Sequence, residues 1–195
     1  MTAEDRLRAA SLRRAVEYAM ADAADPESLL AGLEARVSFS FSRDPFDPRA
    51  LELLNKTNQF NLNGRRWEES GLRAFLQQPG AVFCVASYED RFGALGKIAV
   101  AAGLVEDGAL RLQSWVISCR AFSRRVEFAA LEALFHHTGA GTLLLDWQST
   151  PRNGPARETL AVLFDEVPEA GVLSLSRETF SLRCPRLYAA MSPAP

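Results

Sequence analysis

The chain has 195 residues, of which 48% are hydrophobic and 24% are charged, so it can bury a sizeable core as one large domain. Its net charge of -2 excludes a general attraction to nucleic acid or to anionic membranes, and any basic site must be local. No apolar run is long enough to span a bilayer and the N-terminus lacks the apolar core of a secretory signal, which predicts a cytoplasmic protein.

The first third of the chain is predicted to be mainly helical. Residues 4–22 mix Arg, Glu, Ala and Leu without Gly or Pro, which favours a charged helix, and Asp25 with Pro26 starts a second helix that ends at Leu33. The alternating VSFSFS at 37–42 predicts a strand. Two further helices are expected, at 49–56 and 67–78.

The middle of the chain contains three successive strand patterns, at 82–89, 95–105 and 109–119. Turn-rich segments separate them, so an antiparallel meander is expected. In the third strand the apolar positions change phase. A bulge near Gln113 and Ser114 would explain that change, and so would burial on both faces.

The last third alternates helices and strands. A helix at 124–138 and a short buried strand at 142–147 form a crossover unit that can pair in parallel with the preceding strand. A helix at 155–166 and two weak strands within 171–183 complete the pattern. The order of elements predicts an α+β fold with a mixed sheet, and two parallel neighbours that separate at one end could admit an extended ligand.

Cys119 lies where the third strand ends and a helix begins, beside Arg120, Arg124 and Arg125. A helix start and nearby guanidinium groups both favour a thiolate, and a thiolate can accept an acyl group. The same arginines suit a phosphate or pyrophosphate. The alternatives are an inert buried thiol and a solvated helix start. The other thiols, Cys84 and Cys184, form no CxxC pair with it, so neither a disulfide framework nor a metal site is expected.

Two polar segments could line a ligand cleft. NKTNQFNLNGRRW is rich in amides, and Asn58, Gln59 and Asn61 could either bind a ligand or pack as a polar loop. TPRNGP follows the strand at 142–147 and places Thr150 and Asn153 beyond its end, where they could face a ligand or form a plain turn.

Four segments together resemble the C-terminal half of FkbH-like proteins, which are associated with polyketide pathways. The resemblance runs in chain order and covers most of the chain. Its motifs are ELLNKTNQFNLNGRRW at 52–67, DRFGALG at 90–96, SCRAFSRRVE at 118–127 and TPRNGP at 150–155.

The resemblance implies a GNAT-like domain with a mixed, mainly antiparallel sheet flanked by helices. Residues 1–33 would be a helical extension or interdomain connector, 34–188 the GNAT-like domain and 189–195 a tail. FkbH-like proteins join such a domain to a haloacid-dehalogenase-type phosphatase domain and form a glyceryl thioester on an acyl carrier protein from an acyl-phosphate donor. We therefore expect these partners, and we expect this chain by itself not to remove a phosphate.

The resemblance also implies roles for particular residues. Cys119 would carry the acyl group with help from Arg120, and Ser123, Arg124 and Arg125 would hold a phosphate. GNAT proteins bind pyrophosphate with a Q/R-x-x-G-x-G/A turn, whose two glycine positions are Ser123 and Arg125 here. The missing glycines favour the phosphopantetheine of a carrier protein over coenzyme A as the arm in the cleft. Two alternatives stand beside covalent transfer: a non-catalytic module that docks a carrier or phosphatase subunit, and direct transfer from acyl-CoA.

Overall fold

A computed structural model of the chain describes residues 25–44 and 46–193. The helix predicted at 4–22 lies outside these residues. The first described helix, α1, spans Pro26–Gly32, and Asp25 caps it by accepting hydrogen bonds from the backbone N–H of Glu27 (3.1 Å) and Ser28 (3.2 Å). The predicted second helix is therefore confirmed, with its proline in the first turn.

The remaining elements follow in an order close to the predicted one. Most boundaries shift by one to three residues, as is usual for helix and strand ends. They are β1 (Arg36–Ser40), α2 (Pro48–Lys56), β2 (Phe60–Asn61), α3 (Glu69–Leu76), β3 (Ala81–Asp90), β4 (Gly93–Glu106), β5 (Ala109–Ile117), a 3-10 turn (Cys119–Ala121), α4 (Val126–Thr138), β6 (Thr142–Gln148), α5 (Gly154–Leu163), β7 (Ala170–Ser176), α6 (Arg177–Arg183) and β8 (Ala190–Pro193).

The strands form one mixed sheet in the order β7-β6-β5-β4-β3-β1-β8, and β2 pairs with β5. The meander β3-β4-β5 is antiparallel, as predicted. The crossover helix α4 returns the chain to β6, which pairs in parallel with β5. The fold is therefore α+β with a mixed, mainly antiparallel sheet.

The predicted bulge in β5 is confirmed at Gln113. Ala102 of β4 pairs with Ser114, but the next residue, Gly103, pairs with Leu112, so Gln113 is the extra residue. The bulge keeps the buried Leu112 and Trp115 in the same core cluster although they are three residues apart. It thereby corrects the phase change seen in the sequence.

Helices cover both faces of the sheet. Helices α2 and α3 pack on one face, where Leu54, Trp67 and Phe83 form part of a core. Helix α4, which crosses from β5 to β6, packs on the other face within a larger core. Among the helices in the described ranges, none combines the length and apolar composition needed to cross a bilayer.

The C-terminal region differs from the expectation. Only the first of the two weak strands forms, as β7, and residues 177–183 form α6 instead. Ser176 caps this helix by accepting a hydrogen bond from Thr179 N (3.0 Å), and Phe180 is buried against Phe135. Residues 190–193, within the segment predicted as a tail, pair in parallel with β1 as β8.

Candidate functional site

An open cavity of about 350 Å³ lies between α2 and the 3-10 turn that follows β5. We call it the Cys119 pocket. It brings together four residues that the sequence singled out, from two segments about 60 positions apart. They are Cys119, Arg120, Asn58 and Gln59; the charged side chains of α2 in its lining are Arg49, Glu52 and Lys56.

The turn exposes Cys119 because the chain leaves the sheet just before it. Ser118 N still donates to Ile98 O (2.7 Å), and the next residues form the 3-10 turn, closed by a bond from Phe122 N to Cys119 O (3.3 Å). Cys119 is the exposed thiol of the three. Cys84 is buried, and burial raises the pKa of its thiol. Burial also raises the pKa of the half-buried Cys184 to about 11.

The charges of the Cys119 pocket are organised around Glu52. Lys56 Nζ donates a hydrogen bond to the Glu52 carboxylate (2.8 Å), and Arg49 donates to its other oxygen. The hydrogen bond from Lys56, with a smaller contribution from that of Arg49, lowers the pKa of Glu52 to about 2. Arg120 is anchored beside the thiol by bonds from Nε to Ser118 Oγ (3.1 Å) and from Nη1 to Leu95 O (3.2 Å). Three cations and one anion therefore surround the pocket, which suits an anionic or strongly polarised ligand.

The sequence reasoning missed Arg49, Glu52 and Lys56. Their spacing of three and four residues places them on one face of α2, which was a readable signal. That spacing is equally typical of a solvated helix. Only the packing of α2 across the end of β5 makes this face part of the pocket.

Beyond the β5 bulge, β5 and β6 separate, and β2 fills the space between them. The two strands pair only as far as Leu112 and Leu145. Past that point Phe60 pairs with Ile117, and Leu62 N donates to Trp115 O (2.9 Å). Leu62 O accepts from Gln148 N (3.2 Å) at the end of β6. We call this region the β5–β6 gap, and it is filled by the main chain of residues 60–62.

Amide side chains secure the filling segment. Asn153 Nδ2 donates to Asn61 O and to Gln148 O, each at 2.9 Å. Asn63 Nδ2 donates to main-chain oxygens on β5 and β6, both at 3.0 Å. Asn61 Oδ1 accepts from Gly64 N (2.8 Å). Asn61 and Asn153 are only 2% and 1% exposed, so both hold the polypeptide itself.

The turn between Cys119 and α4 keeps an unusual backbone. Ser123 (φ 62°) and Arg125 (φ 57°) are left-handed, and they occupy the positions at which the Q/R-x-x-G-x-G/A pattern would have glycine. A side chain in this conformation costs about 1 kcal/mol or more. The Arg125 side chain turns away to Glu27 and to Arg186 O (2.6 Å).

A second cavity, of about 340 Å³, lies at the start of α4. Ser123 lines it together with Glu127 and Glu158. Burial raises the pKa of Glu127, whose carboxylate accepts a hydrogen bond from its own backbone N–H. A phosphate bound here would face two carboxyl groups, which oppose an anion even at a helix N-terminus.

The other sequence-predicted residues are dispersed. Thr150 lines a third cavity, of about 220 Å³. Asn58 lines both this cavity and the Cys119 pocket. Asn61 is shared between this cavity and the β5–β6 gap. Arg124 is nearly buried and pairs with Asp90 on the β3–β4 turn.

Comparison with solved structures finds a similar fold in a domain from Methanocaldococcus jannaschii DSM 2661, with a TM-score of 0.51 and 7% identity over 73% of this chain and 99% of that chain. A GNAT-family protein from Desulfovibrio desulfuricans has a TM-score of 0.47 and 15% identity over 71% and 95% of the two chains. The ribosomal-protein-S18-alanine N-acetyltransferase from Escherichia coli has a TM-score of 0.43 and 16% identity over 64% of this chain and 76% of that chain. Models of protein families and curated sequences give no match.

These likenesses concern the fold, because every identity is far below 25%. The predicted α+β architecture with a mixed, mainly antiparallel sheet is confirmed, including the parallel strand pair joined by a crossover helix, and the narrower GNAT-like assignment stays a prediction. The resemblance to FkbH-like proteins and the roles it implies stay predictions.

Proposed function

We propose that the chain is an acyltransferase in which Cys119 carries the acyl group. The observation that carries this proposal is the exposed Cys119 thiol in a polar cavity that also contains Arg120, Asn58 and Gln59. Nucleophilic catalysis by cysteine requires access for the substrate and groups that stabilise charge on the carbonyl oxygen. The exposed thiol and the polar side chains that line the Cys119 pocket support the proposal on both counts.

The chemistry is a pair of acyl exchanges. Cys119 Sγ attacks the carbonyl carbon of a small acyl phosphate or thioester, and the C–O or C–S bond breaks while the leaving group departs with the electron pair. The thiol proton goes to the departing sulfur or to solvent. The thiol of a phosphopantetheine arm then attacks the Cys119 thioester, takes the acyl group and restores the cysteine. A glyceryl or similar hydroxyacyl group fits the resemblance and the amide side chains of the pocket.

Intact-protein mass spectrometry after incubation with an acyl phosphate, an acyl-CoA and an acyl carrier protein tests the covalent step. We expect one acyl adduct on the wild-type chain and none on Cys119→Ala. The matched control is Cys184→Ala, which removes a half-buried thiol with a raised pKa and should keep the adduct. An equal adduct on Cys119→Ala would overturn the proposal.

Direct transfer from acyl-CoA is the second candidate. The resemblance to GNAT proteins favours it, and so do the left-handed Ser123 and Arg125, because left-handed residues are typical of backbone turns that bind anions. Against it stand the two carboxyl groups at the start of α4, which oppose a pyrophosphate there. The filled β5–β6 gap opposes an extended pantetheine arm between the strands, whether coenzyme A or a carrier protein presents it. Coenzyme A binding measured by calorimetry, together with full transferase activity of Cys119→Ala, would establish the direct route.

A carrier protein and a haloacid-dehalogenase-type phosphatase are the partners proposed for this reaction. Binding of a holo carrier protein without any turnover, even after a phosphatase is added, would instead identify a docking module. The same mixture, with the apo carrier as control, measures whether the pantetheine arm is required.

A further inference from the structure

Two arginines connect the turn that carries Cys119 to the β3–β4 hairpin. Arg120 Nη1 donates to Leu95 O (3.2 Å), and Arg124 Nε lies 3.6 Å from Asp90 Oδ2. This hairpin contains the DRFGALG motif at 90–96, to which the proposed chemistry gives no role. Its position beside the Cys119 turn suggests that the motif acts on the thiol indirectly.

The Asp90–Arg124 pair is almost fully removed from solvent. The Asp90 side chain is 0% exposed and the Arg124 side chain 10%. Asp90 also accepts hydrogen bonds from Tyr88 OH (3.1 Å) and from Phe92 N (2.9 Å), so its carboxylate has fixed partners on both oxygens. A buried charge with this many partners has one strongly preferred position.

Arg124 links Asp90 to the Cys119 turn. Its Nη1 donates to Arg120 O (3.1 Å) and to Phe122 O (3.4 Å), the carbonyls of the residues one and three positions after Cys119. The Arg124 guanidinium therefore hydrogen-bonds two carbonyls through Nη1, while its Nε faces the Asp90 carboxylate as an ion pair without a hydrogen bond. A lysine ammonium has no such fixed planar geometry.

We propose that Asp90 and Arg124 are positioning residues that set the direction of the Cys119 thiol and its separation from the Arg120 guanidinium. The inference rests on the proposed function only in giving Cys119 a catalytic role. It concerns the geometry of the turn, and it can be tested without any acyl donor or carrier protein.

The chain provides a matched control in the neighbouring pair Arg36–Glu89. Glu89 precedes Asp90 on β3. Its Oε1 lies 3.5 Å from Arg36 Nη1, which is close to the separation of the buried Asp90–Arg124 pair. The side chains of Arg36 and Glu89 are 64% and 55% exposed, however, and they lie on the β1–β3 strand pair. Arg36→Lys therefore repeats the chemical change of Arg124→Lys opposite an acid of the same strand, β3, at an exposed ion pair away from the Cys119 turn.

The experiment measures alkylation of Cys119 by iodoacetate, which is anionic, and by iodoacetamide, which is neutral. Both rate constants are followed on the Cys119 peptide by mass spectrometry in a Cys184→Ala background. Because both reagents react with the same thiolate, the ratio reports the positive potential at the reagent's carboxylate, and moving a cation about 2 Å away from that carboxylate lowers the ratio about threefold. We expect the ratio to fall about threefold in Arg124→Lys and to stay unchanged in Arg36→Lys.

A loss of stability alone would change both rate constants together and leave the ratio unchanged, so thermal unfolding is recorded for each variant. If Arg124→Lys does not fold, the Tyr88→Phe variant tests the inference instead. It removes only the hydroxyl that donates a hydrogen bond to Asp90, and the alkylation ratio should also fall. An unchanged ratio in the folded variant, or an equal fall in Arg36→Lys, overturns the inference. Failure of the acyl adduct with a lowered alkylation ratio would refute the proposed function and leave the positioning role standing.

Discussion

The Cys119 pocket and the β5–β6 gap use the same residue type in opposite ways. Asn58 and Gln59 are exposed at the pocket, whereas Asn61 and Asn63, a few positions later, hold main chain inside the gap. The difference arises at Phe60, where the segment begins to pair with β5. The amide side chains are therefore left exposed before strand pairing begins and are bound to the main chain after it begins.

The gap also explains why the pocket is the proposed reaction site. Two parallel strands that separate leave main-chain donors and acceptors without partners unless something enters between them. Here residues 60–62 supply those partners, and Asn153 completes them. An extended thioester arm would have to displace this segment, whereas the pocket is open without any rearrangement.

The largest expected effect comes from breaking the gap. Asn153→Ala leaves the buried Asn61 O and the partly buried Gln148 O without their amide donor. We expect the free energy of unfolding to fall by about 1–3 kcal/mol. Urea unfolding measures it, with Arg152→Ala, the exposed neighbour in the same turn, as the control that should change stability by less than about 0.5 kcal/mol. An equal loss in both variants would contradict the role given to Asn153.

A smaller effect, on rate rather than on stability, is expected at the pocket. Gln59→Ala removes an exposed amide from the pocket lining, so the free energy of unfolding should change by less than about 0.5 kcal/mol. Loss of one hydrogen bond to a bound acyl group should slow formation of the Cys119 adduct about 3- to 10-fold. The opposite pattern, with lower stability and an unchanged rate, would place Gln59 with the gap residues.

The smallest expected effect is a difference between the pocket and the gap in how stability depends on pH. The pKa of Glu52 is about 2 in the folded chain, below its ordinary value of 4.5, so its stabilising contribution is present above pH 4.5 and is lost as the pH falls toward 2. The difference in melting temperature between wild type and Glu52→Gln should therefore narrow over that range. The cost of Asn153→Ala should stay constant over the same range, because amides do not titrate there.

Much of the fold could be predicted because local signals agreed with the tertiary structure. The phase change in the third strand indicated the bulge now located at Gln113, and Asp25-Pro26 marked the start of a capped helix. The second weak strand was wrong because Ser176 caps a helix there and Phe180 packs against Phe135. Tertiary contacts of this kind override weak strand patterns.

The site was only partly predictable. Cys119, Arg120, Asn58 and Gln59 do meet, since strand ends and loops with polar residues collect at such places. Asn61 and Asn153 satisfy main-chain groups whose exposure depends on where two distant strands separate, and no local pattern reports that. The direction of Arg124 is equally non-local, because its partner Asp90 lies 34 positions earlier in the chain.

Gly103 gives the β5 bulge a consequence for how this protein can vary. A Cβ atom at this position would lie 2.4 Å from Arg111 O on the opposite strand, so even alanine would force the two backbones apart. Because the bulge fixes which residues of β5 face the core, it also fixes the direction in which Cys119 leaves the sheet. The orientation of Cys119, the proposed nucleophile, thus depends on Gly103, a residue of the neighbouring strand β4 that has no side chain. A search for variants that redirect the thiol should begin at Gly103, before any residue of the pocket is changed.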